Sequence, residues 1–415
     1  MLRRMSSRGI LSLALILVGV GCERFAYYGA RAFLVMDMRS GGEGLESYAT
    51  VYSTMMWLGV FCSFAGAGVA FGIGPRATAA IGALVSVIGC FVLVAGSYKA
   101  GGFVLSAGAG ILRPCPAAAA AEVLGREDGD AAPSPRRFAA VTAFMLFVYA
   151  AINAGALAGP LIGKALRTDG TSTVAYAVDG IVMFLGAGAI AAAAVLGFQK
   201  SSAIAAPPPT DVYRTPGLAP QTQPAPTGNA LVGVAILATA SAIYAAGLVA
   251  SFPARTMGAL PDWIHSINPI VVVIVATIFG CIWVAGTQQR WTISPLSFYG
   301  AGIAIFAFGL FVIAISGESV FGNVAGQIIA AAGESPAGTI GTAFAALAVR
   351  NRGATLVVAG WMALGSVVNM LAGSLMTASS GVVIVLAFVL GAAGVAFAAL
   401  GKRIHREFFE RPLSA

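Results

Sequence analysis

Residues 23–31 read Glu23-Arg24-Phe25-Ala26-Tyr27-Tyr28-Gly29-Ala30-Arg31, in the middle of an apolar run near the N-terminus. A charged side chain at the centre of a bilayer costs about 2.5–3.5 kcal/mol on insertion scales, so such residues face a bundle interior or a water-filled cavity. At helical spacing, positions 20, 23, 24, 27, 28 and 31 fall on one broad face. That face presents one carboxylate, two guanidiniums and two phenols. Arginine binds carboxylates bidentately and stays charged at any working pH. A carboxylate beside it can exchange a proton when burial tunes it. The chemistry on offer is anion binding linked to proton movement. The plainer reading is a Glu23–Arg24 pair that only fixes helix packing; a functional role is favoured, because intramembrane charges usually have one.

Two more charges lie in apolar segments far along the chain: Arg113 and Glu334. With Glu23, Arg24, Arg31 and Arg113 in the first half and Glu334 in the second, a ligand between the halves meets positive charge on one side and a carboxylate on the other. That suits the two ends of a short peptide or an amino-acid derivative. A competing reading makes Glu334 the cap of a half-helix, because Ser335-Pro336 can break the helix there. Asp179 falls nearer a membrane surface, where reaching out to headgroups competes with a role in the pathway. Tyr27, Tyr28, Tyr149, Trp283 and Trp361 are candidate cavity aromatics. Rings near span ends more often anchor at the interface, but Tyr27 and Tyr28 sit deep and beside the charges. Gly and Ala pairs at i, i+4, such as Gly66 and Ala70, read as close helix packing.

The elements that position these residues are membrane helices. Hydrophobic residues make up 58% of the 415-residue chain and charged residues 10%, and the mean hydropathy is +0.88. A soluble domain is nearer a quarter charged. Apolar blocks run over 9–36, 48–72, 77–97, 101–123, 138–163, 173–197, 229–251, 264–286, 294–316, 320–348, 354–377 and 381–401, each near the roughly 20 residues a crossing needs. Arg3, Arg4 and Arg8 before an apolar run, with Val20-Gly21-Cys22 after it, imitate a signal peptide. The helical pattern continues to Met36, too far for one, so 9–36 reads as an uncleaved first span.

Seven of the nineteen prolines crowd into 198–228, an extended linker between six spans and six. Six plus six around a central loop is the plan of a major-facilitator transporter. With both termini cytoplasmic, sixteen Lys and Arg fall on that side and five opposite, the bias of positive-inside topology. The same bias accounts for the net charge of +8 without nucleic acid. The five cysteines all lie in apolar segments with no metal spacing. His265 and His405 are the only histidines. An intramembrane enzyme would need a Ser–His pair, two acids in helix cores or a His-rich metal site; no metal or triad grouping is available, and no repeated filter element points to a channel.

The first-span segment resembles the first-helix motif E-x-x-E-R-F-x-Y-Y-G of the proton-dependent oligopeptide transporter (POT, also PTR) family, standing here as Val20-Gly21-Cys22-Glu23-Arg24-Phe25-Ala26-Tyr27-Tyr28-Gly29. The likeness continues in order. Gly108-Ala109-Gly110-Ile111-Leu112-Arg113-Pro114 is similar to G-x-G-x-x-K-P, and Ile152-Asn153-Ala154-Gly155 to I-N-x-G. Ser266-Ile267-Asn268-Pro269 is similar to the start of span 8, Ser335-Pro336-Ala337-Gly338 to S-P-x-G, and Gly360-Trp361 through Asn369 to Gly373 to the span 11 pattern. The departures are specific. Val20 replaces the first acid, and Gly72-Ile73-Gly74-Pro75-Arg76 lacks the usual Asp. Ala245 and Ala246 stand where span 7 has acids or Gln. Ala331 stands where span 10 has Glu, with Glu334 three residues on, on roughly the same face.

The resemblance implies an all-α polytopic membrane protein with a major-facilitator fold, its 12 transmembrane helices in two six-helix bundles. The bundles are expected at 1–197 and 229–401, joined by the cytoplasmic linker 198–228 and followed by a cytoplasmic tail, 402–415. It implies import of di- and tripeptides, or similar amphoteric molecules, by proton symport. Substrate would meet Arg24, Tyr27, Tyr28, Arg31, Arg113, Asn153, Asn268, Glu334 and Trp361, with Glu23, Arg24 and Glu334 in the proton coupling. An uncoupled transporter of amino-acid-like solutes, or a transport-inactive relative, is the alternative that Val20 keeps open. No cofactor or metal is expected beyond the proton as coupling ion. The expected partners are a short peptide and the lipid bilayer, with no nucleic acid and a monomeric chain in the inner (plasma) membrane.

Overall fold

A computed structural model describes the chain except for residues 1–6, 43, 126–134, 168–171, 205–232, 239–265, 287–293, 350–352, 372–379 and 406–415. The described residues are helical almost throughout. In chain order the helices are α1 (Ser7–Ser40), α2 (Leu45–Ile73), α3 (Pro75–Val94), α4 (Tyr98–Leu112), α5 (Cys115–Gly125), α6 (Pro135–Leu166), α7 (Thr173–Ile204), α8 (Ile267–Gly286), α9 (Pro295–Ser316), α10 (Val320–Ala348), α11 (Ala354–Leu371) and α12 (Ser380–His405).

Nine helical stretches among the described residues are long and apolar enough to cross a membrane. Every predicted span but 229–251 overlies a described helix; of that span only 233–238 is described, and it is helical. The helix of α7 runs on to Ile204. The prolines from Pro207 on lie outside the described residues, as do Ala245, Ala246 and most of the tail. At about 1.5 Å per residue, the 34 residues of α1 extend about 51 Å, well beyond a ~30 Å hydrocarbon core.

Local sequence explains where helices start and stop. Gly74, at φ 89°, makes the abrupt turn between α2 and α3, and Pro75 opens α3. A side chain at Gly74 would be strained, while proline is at home in a first turn. Ser319 caps α10 by accepting a hydrogen bond from the Gly322 amide at 3.3 Å. Span 4 is divided: α4 stops at Leu112 and α5 starts at Cys115, with Arg113 and Pro114 between them. By contrast α10 passes straight through Pro336 and α6 through Pro160, as neighbouring helices allow in membranes.

Small residues let the helices approach closely. A Cβ at Gly155 of α6 would stand 2.4 Å from the Gly21 carbonyl oxygen of α1, and one at Gly159 2.2 Å from that of Phe25. Gly66 of α2 likewise lies against the Ile111 backbone of α4, 2.7 Å from where its Cβ would be. This is backbone-to-backbone packing of the kind membrane helices use in place of a hydrophobic driving force. It brings α1 and α6 backbone to backbone, with the charged segment at the contact. Helices on either side of the linker also meet: α6 packs on α8 and α10, and α2 on α11. Phe138 and Phe344 meet at a tilt across the α6–α10 contact, ring centres 4.7 Å apart. Large apolar side chains such as Phe61, Phe184, Leu185 and Phe388 face outward.

Candidate functional site

The centre of α1 carries a closed ion pair. Arg24 donates from Nε to Glu23 Oε2 at 2.5 Å and from Nη2 to Oε1 at 2.9 Å. Glu23 is fully buried and Arg24 nearly so. A bidentate guanidinium–carboxylate pair satisfies both carboxylate oxygens and removes most of the cost of burying either charge.

Around this pair the expected residues gather. The Arg24 guanidinium lies 5.2 Å from the Tyr27 ring centre and 5.9 Å from that of Tyr28. Arg113, held at the α4–α5 break, places its guanidinium 5.6 Å from the other partner of this group, the Tyr27 ring. Arg31 stands 5.9 Å from Tyr28 and 4.5 Å from the Tyr52 ring, and donates to the Tyr52 hydroxyl. Tyr27 and Tyr28 meet edge to face at 5.5 Å. Three guanidiniums thus share a layer of aromatic rings, and among the described residues only Arg24 of the three pairs with a carboxylate. Cations over aromatic faces gain about 0.5–2 kcal/mol each, which lets α1, α2 and α4 keep this positive charge inside.

Glu334 forms the second centre. The Tyr149 hydroxyl of α6 donates to its Oε1, and Asn268 Nδ2 of α8 donates to its Oε2 at 2.7 Å. The carboxylate therefore ties a helix before the linker to two after it. Because α10 is continuous here, Glu334 does not cap a half-helix: the Ser335 and Thr339 hydroxyls return to carbonyls of the same helix. Asn153 lies one turn along α6 from Tyr149 and donates to the Tyr149 carbonyl at 2.9 Å. Trp361 of α11 is half-buried with its indole against Gly341 of α10, 2.1 Å from where a Cβ would sit. That is seven residues, about 10 Å, along α10 from Glu334.

Some candidates go elsewhere. Trp283 is buried among Ala139, Ala143, Leu146, Ala150 and Ala276 and packs α8 onto α6 rather than lining a cavity. Asp179 does not reach for a membrane surface: it is 2% exposed and lies against Gly29 of α1. Tyr52 and Asp37 were not legible as partners. Asp37 accepts from Ser172 Oγ at 3.0 Å and the Tyr176 hydroxyl at 2.6 Å, with Arg167 3.8 Å away, tying the end of α1 to the start of α7. Arg76, in the first turn of α3, pairs with Glu122 of α5 at 3.2 Å. Among the described residues, no cluster of three His, Cys, Asp or Glu could hold a metal.

No family model matches the chain, and no curated protein matches it in sequence. Solved structures do match along nearly its whole length. A crystal structure of the peptide transporter POT in complex with sulfate has a TM-score of 0.63 at 18% identity, covering 96% of each chain. A POT family transporter in complex with a thioalcohol-conjugated peptide has a TM-score of 0.64 at 14% identity, covering 97% of this chain and 99% of that one. A mutant of the POT peptide transporter with alafosfalin gives 0.62 at 17%, covering 95% of each. The chain has the fold of the POT peptide transporters. It is an all-α, polytopic membrane protein of the major-facilitator type, as its spans and motifs lead one to expect. The Glu23–Arg24 segment lies in α1 and Glu334 in α10, and the matches cover nearly the whole of those chains.

Proposed function

We propose that the chain imports di- and tripeptides, or amphoteric molecules of similar size, by proton symport with alternating access. The observation that carries this reading is the pairing of two unlike charge centres inside one membrane bundle. One is the Glu23–Arg24 pair flanked by Arg31 and Arg113. The other is Glu334, bonded across the linker by Tyr149 and Asn268. The relatives in complex with a conjugated peptide and with alafosfalin support the substrate class.

The mechanism follows from competition for two charges. While Glu23 is ionised it occupies Arg24. A proton on Glu23 cancels that attraction and frees the guanidinium for a peptide carboxylate. At the other end, a peptide ammonium displaces the Tyr149 and Asn268 donors from Glu334. Removing the Tyr149 bond unties α6 from α10 and lets one half rock against the other. Loss of the proton restores the Glu23–Arg24 pair and expels the carboxylate. The protein acts as a monomer in the inner (plasma) membrane, with both termini and the 198–228 linker cytoplasmic. The proton is the sole coupling ion, and no cofactor takes part. Transport without proton coupling is the second reading, favoured by Val20, which cannot carry a proton and is itself buried.

Reconstitution tests the choice. Liposomes containing the protein take up labelled dialanine faster when the outside is more acidic than the lumen, and trialanine competes while free alanine does not. Equal uptake with and without the gradient supports the uncoupled reading. No uptake of any peptide in either condition overturns both.

A further inference from the structure

Asp179 is a buried carboxyl that the mechanism above leaves unused. It sits in the second turn of α7, 2% exposed, and its Oδ2 has no hydrogen-bond partner. A Cβ at Gly29 would stand 2.5 Å from Oδ1 and 2.9 Å from Oδ2, so the bare backbone of α1 forms the wall against which the carboxyl rests. Gly29 closes the same Glu-Arg-Phe-x-Tyr-Tyr-Gly segment that carries Glu23 and Arg24.

Among the described residues, the groups around Asp179 supply no compensating cation. On α1 these are Glu23, already paired with Arg24, and Asp37, which holds the Ser172 and Tyr176 donors. On α3 it is Cys90, wholly buried and within electrostatic reach of both Asp179 and Glu23. On α7 itself it is Tyr176, with Tyr98 of α4 against it. The α6 helix also touches α7; its Lys164 is exposed, its Tyr149 is bonded to Glu334, and its Arg137 to the Ala121 carbonyl. A buried carboxylate without donors or a counter-charge is among the costliest groups a protein can hold. A neutral carboxyl in the same place costs far less.

We propose that Asp179 is a second proton-carrying carboxyl, lodged between α1 and α7, which keeps its proton while Gly29 covers it and gives it to water when α1 moves off. The inference deepens the symport reading and rests on it. Asp179 rests on Gly29 of the segment that carries Glu23, and Cys90 of α3 is within electrostatic reach of both acids, so one displacement of α1 acts on both. Asp179 then stands in for the acid that Val20 replaces, from a neighbouring helix instead of the same one. In the exchange step the carboxyl O–H bond breaks and the proton passes to a water molecule; no other group is consumed.

Infrared difference spectroscopy of the intact protein in liposomes, titrated with pH, reads this without any substrate. The native chain shows the carbonyl band of a buried protonated carboxyl. The band is lost in Asp179→Asn and retained in Glu23→Gln and Asp37→Asn. Should Asp179→Asn fail to fold, the native chain grown with carbon-13 aspartate serves: the band shifts with that label and not with labelled glutamate. A band unchanged by both the substitution and the aspartate label overturns the proposal. Because this readout needs no transport, a positive band in a protein that takes up no peptide would sink the symport reading alone.

Discussion

Replacing Arg24 with alanine abolishes peptide uptake and lowers the thermal midpoint of the purified protein. The fully buried Glu23 takes both of its hydrogen bonds from this one guanidinium. Removing one partner of a buried pair leaves an uncompensated charge and costs about 3–5 kcal/mol. The Tyr27 and Tyr28 rings lose their cation as well. Two effects are mixed in this variant, and the double substitution Glu23→Gln/Arg24→Gln separates them. With no stranded charge, the double variant regains most of the thermal stability. It still fails to transport, because neither an anion-binding guanidinium nor a proton acceptor remains on α1. Thermal unfolding and uptake of the three proteins side by side check this. A single Arg24→Ala variant that transports at the native rate contradicts the role given to the pair.

Glu334→Gln weakens binding of peptides that carry a free amino terminus by about 10- to 100-fold and leaves amine-blocked peptides unchanged. A hydrogen bond to a charged group is worth about 1.5–3 kcal/mol, and each 1.4 kcal/mol is tenfold in affinity. Glutamine keeps the shape of the site. Its carbonyl still accepts from Tyr149, and Asn268 can turn its amide to present oxygen to the new NH2 group. The lost property is the negative charge that draws an ammonium. Competition against a labelled peptide, using paired free and N-acetylated competitors, measures it. An equal loss for both members of each pair would assign Glu334 to packing between α6, α8 and α10 instead.

The residues that could be read from the sequence are those whose cost is paid within one segment. Glu23, Arg24, Arg31, Arg113 and Glu334 announce themselves because a charge in an apolar run is expensive wherever the helix is placed. The helical spans follow from the same length and composition argument. What stayed hidden depends on which helix lies opposite. Tyr149 is a plain aromatic until α6 and α10 meet, 185 residues apart in sequence. Asp179 reads as a near-surface acid until Gly29 is found against it. Trp283 reads as a cavity aromatic until the alanines of α6 enclose it. Pro336 suggests a helix break, yet α10 is continuous through it.

Peptide-evoked proton movement tests the central claim most directly. Liposomes carrying the protein and a lumenal pH dye receive dialanine on the outside, with no pH gradient and an inside-negative potential. The native chain acidifies the lumen on peptide addition. Glu23→Gln takes up peptide by exchange against preloaded peptide but evokes no more than the part of the acidification that other carboxyls carry. Peptide uptake in the native chain with no change in lumenal pH, or acidification identical in the native chain and Glu23→Gln, contradicts the account.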